Sequence, residues 1–506
     1  MTDLDAAPLE PVPKQHTSPP LWLALVLPAL AGGMGWGIRG QYGHETGAMI
    51  PGLLVALSVA LLFCPGATSL TVARIAALTA VGFSFGGSQT YGQTLGLSQD
   101  AAIREAGYWW GMLGCFIKGG IWIGLGGAFL GIGLSPKRYR PLEIFVLMCA
   151  LLAFWFAGIY LLNRPFDIEG KLLPNISFSD YWNIGQPGWT PRPELWGGLL
   201  FALVALSGYL TLFKKDALAR NLALIGIPAG GFGFAIGQVI QAYAASHPTE
   251  CIDPYANWWG FMEVTFGLIL GAGLGLGVWL NRDKIHNDST ESDDISLSPA
   301  QEFTLLAVQC AGLYVWNLCH YHTLDAVADV ALTMGLIPLV AIVGGRYWPY
   351  FTVFPILALP IVGRAIPAAV RQYDVFITVG ENEAARTVLN TDALTPTLMA
   401  ALAFLLLALP MLLLIAVLAA RRAKPQQPGL TFTRLTIILS VWFYFYLSVI
   451  HRDFPWPWKV VNSSTVLECF FVACGLILTV VAVAAHRRPR PNSPQPQIAS
   501  PPPSPD

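Results

Sequence analysis

The chain has 506 residues, 54% of them apolar and only 12% charged, with 50 glycines and a formal net charge of −1. An ordinary soluble domain carries about 25% charged residues, so this is the composition of a membrane protein. The balance of charge leaves no basic excess to hold a phosphate backbone, which excludes nucleic-acid binding as a main role.

In chain order, residues 1–20 carry Asp3, Asp5 and Glu10 and no basic segment of the kind that opens a signal peptide. They read as a disordered cytoplasmic tail before a span that is retained. Crossing the hydrocarbon layer takes about 20 apolar residues. Fourteen runs qualify, near 21–40, 47–63, 70–96, 108–134, 142–162, 195–213, 221–245, 256–280, 301–320, 327–345, 348–364, 396–420, 430–450 and 464–486. The expected fold class is therefore all-α, a polytopic integral membrane protein of about 14 (12–14) transmembrane helices. Residues 21–281 form an eight-span glycine-rich domain, 282–300 an acidic cytoplasmic linker, 301–487 a six-span domain and 488–506 a Pro-rich disordered cytoplasmic tail. Between the spans, the alternation in the string YDVFITV reads as a small hairpin or an interfacial cap. Eight cysteines are scattered without a CxxC pair, so neither a disulfide framework nor a structural zinc site is expected.

With the N-terminus inside, cytoplasmic loops collect eighteen Lys and Arg against nine on the other side. The positive-inside rule then places both termini in the cytoplasm of a plasma-type (inner) membrane.

The eight-span domain repeats. GFSFGGSQ at 82–89 aligns with GFGFAIGQ at 231–238, Trp109-Trp110-Gly111 with Trp258-Trp259-Gly260, and Gly124-Leu125-Gly126 with Gly273-Leu274-Gly275, all at an offset of 149. The economical reading is duplication of a four-span unit, with copies at about 21–135 and 142–281. An even number of spans keeps both copies in one orientation, which makes the repeat parallel.

Most of the glycines suit close helix packing. The string GGMGWGIRGQYGHETG is different, because five glycines between Gly33 and Gly43 surround Arg39, His44 and Glu45. A helix is hard to sustain there, and irregular backbone beside an arginine suits an anionic or polyhydroxyl ligand. The plain alternative is a hairpin in which Arg39 pairs with Glu45. Lys118 lies ten residues into the span that begins near Tyr108, about 15 Å deep at ~1.5 Å per residue. A charge there needs a partner, and Glu263, near the start of the repeat-related span, is the candidate. Gln89 and Gln238, equivalent in the repeat, are placed to line one polar site from two sides or to bond between helices.

Outer loops gather histidines and acids: His320, His322 and Asp325 in LCHYHTLDAVAD, and Arg452 with Asp453 beside DFPWPW. His and Asp suit acid–base chemistry. An HxH pair on a helix points roughly 200° apart, so no metal site is expected there. No P-loop, nucleophile elbow, HExxH or dinucleotide fingerprint occurs in a suitable context, so no cofactor is expected.

Two functions follow. The first is a secondary transporter or permease for a small polar or anionic solute, with Arg39, Gln89, Lys118, Gln238 and Glu263 along its path and membrane lipid around it. The second is an integral membrane enzyme acting on a lipid-linked or polar substrate at the outer face, through His44, Glu45, His320, His322, Asp325, Arg452 and Asp453.

Overall fold

In lipid, a chain segment satisfies its backbone most simply by bonding each amide within itself as helix. The computed structural model describes residues 18–40, 45–89, 91–100, 104–170, 172–181, 192–285, 295–319, 343–345, 376–379, 386–392, 429–451 and 463–485. The helices in the first half are α1 (Leu21–Arg39), α2 (Glu45–Phe63), α3 (Ser69–Gly86), α4 (Gly92–Gln99), α5 (Arg104–Leu134), α6 (Pro141–Leu162), α7 (Trp196–Gly208), α8 (Ala217–Ser246) and α9 (Trp258–Leu280). Later in the chain come α10 (Pro299–Cys319), α11 (Gly429–Phe445) and α12 (Thr465–Ala484). A π-helical turn at Tyr209–Phe213 prolongs α7, and another at Tyr446–His451 prolongs α11. Among the described residues eight stretches are long and apolar enough to cross a membrane. The molecule is a helical membrane protein. A two-stranded antiparallel ladder, β1 (Phe376–Val379) with β2 (Arg386–Leu389), sets Phe376 opposite Leu389, as the alternation of YDVFITV leads one to expect.

Six helical arms close a ring in the order α2, α1, α9, α8, α5 and α3, each packed on the next. Glycines set the spacing. A methyl group on Gly230 of α8 would overlap the Gly119 carbonyl of α5, and one on Gly267 of α9 would overlap the Gly32 carbonyl of α1. Backbones in such contact forgo side-chain bulk for dispersion along the whole crossing. The ring is filled rather than hollow. Trp36, Phe83, Trp122 and Phe266 are all essentially inaccessible, with Trp36 centred 5.0 Å from Trp122 and 4.3 Å from Phe266. Outside the ring, α6 packs on α7 and leaves Leu142, Val146 and Tyr160 exposed, while α12 covers α1 and α11 covers α2 and α3.

Two local expectations are corrected. The run 70–96 is not one helix: α3 stops at Gly86, Gly87 to Gln89 and Tyr91 are non-helical, and α4 begins at Gly92. The two pieces together run antiparallel to α5, for Gly86 meets Trp122, Thr94 meets Gly114 and Ser98 meets Gly111. They form one interrupted arm. Conversely, the glycine-rich string after Gly33 stays helical up to Arg39. Gly35 there is used for contact with Pro51, and Gly37 for contact with Val264 and Phe471. Glycine lowers helix propensity by only about 1 kcal/mol, an amount that tight packing of α1 outweighs.

Candidate functional site

The interrupted arm carries polar residues into the ring. Tyr91, at the N-terminal edge of α4, meets Arg39 from the end of α1 and Glu263 from the second turn of α9. Arg39 donates from Nη2 to Glu263 Oε1 at 2.8 Å, to Glu263 Oε2 at 2.9 Å and to the Tyr91 hydroxyl at 2.5 Å. Tyr91 in turn donates to Glu263 Oε1 at 2.8 Å. The guanidinium carbon stands 4.8 Å, 5.1 Å and 5.2 Å from the ring centres of Trp36, Tyr91 and Trp122. Three aromatic faces and one carboxylate thus replace the water that a buried cation loses. Arg39 Nε is buried with no hydrogen-bond partner among the described residues.

Beside this cluster lies a cavity of about 140 Å³, lined by Glu263, Asn257, Ser448, Ser464, Glu468 and Phe471 among others. That is about ten times the ~10–15 Å³ that one water needs. Its polar groups come from the N-terminal turns of α9 and α12 and from the π-helical turn after α11. Such turns present amides that are not used within their helix.

The second buried charge lies deeper and is enclosed. Lys118 is 14 residues from the start of α5, about 21 Å along a helix rising ~1.5 Å per residue. Its neighbour Gly119 abuts Gly230, near the middle of α8. Lys118 Nζ donates to Thr94 Oγ1 at 2.7 Å and to Glu194 Oε1 at 3.0 Å. Glu194 also accepts from Ser179 Oγ at 2.7 Å, from the Phe178 amide at 2.9 Å and from Trp196 Nε1 at 2.8 Å. Both side chains are completely buried. The expected pairing of Lys118 with Glu263 is therefore wrong. Met262 meets Gly237, seven residues beyond Gly230 and so about 10 Å along α8, which puts Glu263 out of reach of Lys118. Arg39 takes Glu263, and not Glu45, as its partner.

Of the residues expected to line one path, only Glu263 borders the cavity. Gln89 donates to the Lys118 carbonyl at 3.0 Å and to the Gly86 carbonyl at 3.2 Å, and so ties the interruption to α5. Gln238 donates to Ser98 Oγ at 2.8 Å and ties α8 to α4. Gln89 thus ties the end of α3 to α5 while Gln238 ties α4 to α8, and the two share no partner. Glu45 opens α2. His44, His320, His322, Asp325, Arg452 and Asp453 lie outside the described residues. Two members, Tyr91 and Glu194, escaped the sequence reading. Tyr91 and the break before it are signalled by the polar string Ser88, Gln89 and Thr90 between Gly87 and Gly92. Glu194 is the acid immediately preceding an apolar run.

Fold and site together define the class: a helical membrane protein with an interrupted arm and a buried charge pair at a small polar cavity. The chain matches no family model, no curated protein and no solved structure.

Proposed function

We propose that the protein is a secondary transporter or permease for a small polar solute, bound in the cavity against Glu263, whose buried partner is Arg39. The observation that carries this reading is the break between α3 and α4, which delivers Tyr91 to Glu263, the acid that borders the cavity, and to its partner Arg39. Discontinuous helices meeting buried charges are the way transporters build a binding site at membrane depth. Below the floor the aromatic side chains of Trp36, Phe83, Trp122, Phe234 and Phe266 close the ring, so the cavity serves as an entrance open to one side. Gln89, Lys118 and Gln238 position the interrupted arm and do not touch solute. In the full reading the chain has fourteen spans with both termini in the cytoplasm of a plasma-type membrane, and the cavity faces outward.

A parallel duplication supports the design. The interrupted arm covers residues 69–99 and α5 covers 104–134, while α8 covers 217–246 and α9 covers 258–280. Shifted by the offset of 149 read from Gly82 and Gly231, the first pair of ranges falls within about five residues of the second, which favours this reading. In one copy the first arm is broken and in the other it is continuous, an asymmetry that lets one wall of the ring move against a stiff partner.

The test is uptake of labelled amino acids, polyols and carboxylates into proteoliposomes, together with labelling of single cysteines by a membrane-impermeant maleimide. A permease takes up at least one solute class, loses it in Glu263→Gln, and is labelled at Ser464→Cys from one side and at Leu27→Cys, beyond the aromatic plug, from the other. A protein that takes up none of the panel and never exposes Leu27→Cys is not a permease.

A further inference from the structure

At the end of the bundle where α5 and α7 finish and α6 and α8 begin, two short segments interlock. Lys214 donates to Glu143 at 2.7 Å and 2.8 Å, and to the Arg138 carbonyl. Its ammonium lies 4.4 Å from the centre of the Tyr139 ring. Tyr139 donates to Asp216 at 2.7 Å, and Asp216 also caps α8 by accepting from the Ala219 amide at 3.0 Å. Burial and the neighbouring Asp216 push the Tyr139 phenol above its ordinary range, so it remains a donor. Tyr209 donates to Glu143 as well.

Both carboxylates of the knot are thus used internally. Residues 137–143 and 214–216 hold five cationic side chains and those two acids, a net charge of +3. Lys137, Arg138, Arg140 and Lys215 are exposed, and Lys137, Arg140 and Lys215 pair with no carboxylate among the described residues. Lys215 has φ of 50°, a left-handed conformation that disfavours a residue with a Cβ and here follows directly on a π-helical turn. The contacts of Lys214 with Arg138, Tyr139 and Glu143 hold the two segments that carry these cations together. Next to these cations in the chain, the apolar side chains of Leu142, Val146, Leu212 and Phe213 are 72%, 58%, 69% and 78% exposed.

We infer that this patch is a binding site for an anionic phospholipid, whose phosphate lies among Lys137, Arg140 and Lys215 while its acyl chains cover Leu142, Val146, Leu212 and Phe213. Neither half suffices alone. Exposed cations attract any anion, and exposed apolar side chains on a peripheral helix meet any lipid. Their adjacency selects a molecule that is anionic at one end and apolar along its length. The acids Asp293 and Asp294, just before the described residue Ser296 that sits near Pro141, are the rival occupant and enter the test.

The experiment measures thermal unfolding of the full chain in detergent, titrated with phosphatidylglycerol, phosphatidylcholine or inorganic phosphate. Phosphatidylglycerol alone raises the midpoint for the native chain. In Lys137→Gln/Arg140→Gln/Lys215→Gln its apparent affinity falls about a hundredfold, at roughly 1 kcal/mol for each cation near a charged lipid surface. If that variant does not fold, Lys137→Glu alone lowers the affinity at least about tenfold. Equal stabilisation of native and triple variant overturns the proposal, as does an equal shift from phosphatidylcholine or from inorganic phosphate. So does a response that appears only after Asp293→Asn/Asp294→Asn, for then the linker fills the patch.

Discussion

The pair formed by Arg39 and Glu263 and the pair formed by Lys118 and Glu194 use the same chemistry in different surroundings. Arg39 shares its charge with three aromatic faces and with one carboxylate that borders a cavity, and its Nε finds no partner among the described residues. Glu194 accepts from four different groups, enclosed by Phe178 and Trp196. A charge pair with every partner fixed holds structure, because any movement strands a charge in a medium that cannot solvate it. A pair whose carboxylate borders a cavity can exchange a partner for a solute. The second arrangement suits a site and the first suits a clamp, joining α5, α4 and the segment before α7.

The sharpest way to break this contrast is to remove one member of each pair. Lys118→Met is expected to lower stability by about 3–5 kcal/mol, the cost of stranding a buried partner, and to show as loss of folded protein in detergent. Lys118→Met/Glu194→Gln should recover part of that loss. Glu263→Gln is expected to remove uptake with a stability loss well below that of Lys118→Met, measured by thermal unfolding. If Glu263→Gln destabilises as much as Lys118→Met, the two pairs do one job. Next in size, Tyr91→Phe deletes one hydrogen bond to Glu263 and one from Arg39, about 1–3 kcal/mol for bonds to charged groups, and should weaken solute binding. Gln89→Ala frees the interruption from α5 and should cost about 1 kcal/mol.

The smallest expected effect is on cysteine chemistry. Cys64, just beyond α2, is buried, and burial pushes its thiol up to about 12 from 9.0. At pH 8 the Cys64 thiolate is therefore scarce, whereas Cys251 is exposed. Alkylation followed by mass spectrometry should modify Cys251 and spare Cys64. The sign for stability follows from the raised value: the unfolded chain releases this proton first, so the contribution of Cys64 is whole below pH 9 and declines towards about pH 12.

The sequence by itself determined the membrane class, the extents of most helices and the need for a partner at Lys118. Hydropathy and the length required to cross lipid are local quantities, and a buried ammonium demands compensation whatever the fold. The sequence also carried Arg39, Glu263, Gln89 and Gln238 as residues of interest, since charges and amides in apolar runs stand out. Only the tertiary structure decided the partners. Glu194 lies 76 positions from Lys118, and Glu263 lies 224 from Arg39, so which acid meets which cation depends on how far each helix slides along its neighbours. Glycine contacts such as Gly119 with Gly230 set that slide, and a shift of one helical turn would reassign both pairs. The same reason governs the broken arm. Gly33 to Gly37 and Gly86 to Gly92 look alike as strings, and tight contact with Pro51, Val264 and Leu268 keeps the first helical while Tyr91, drawn to Arg39 and Glu263, opens the second.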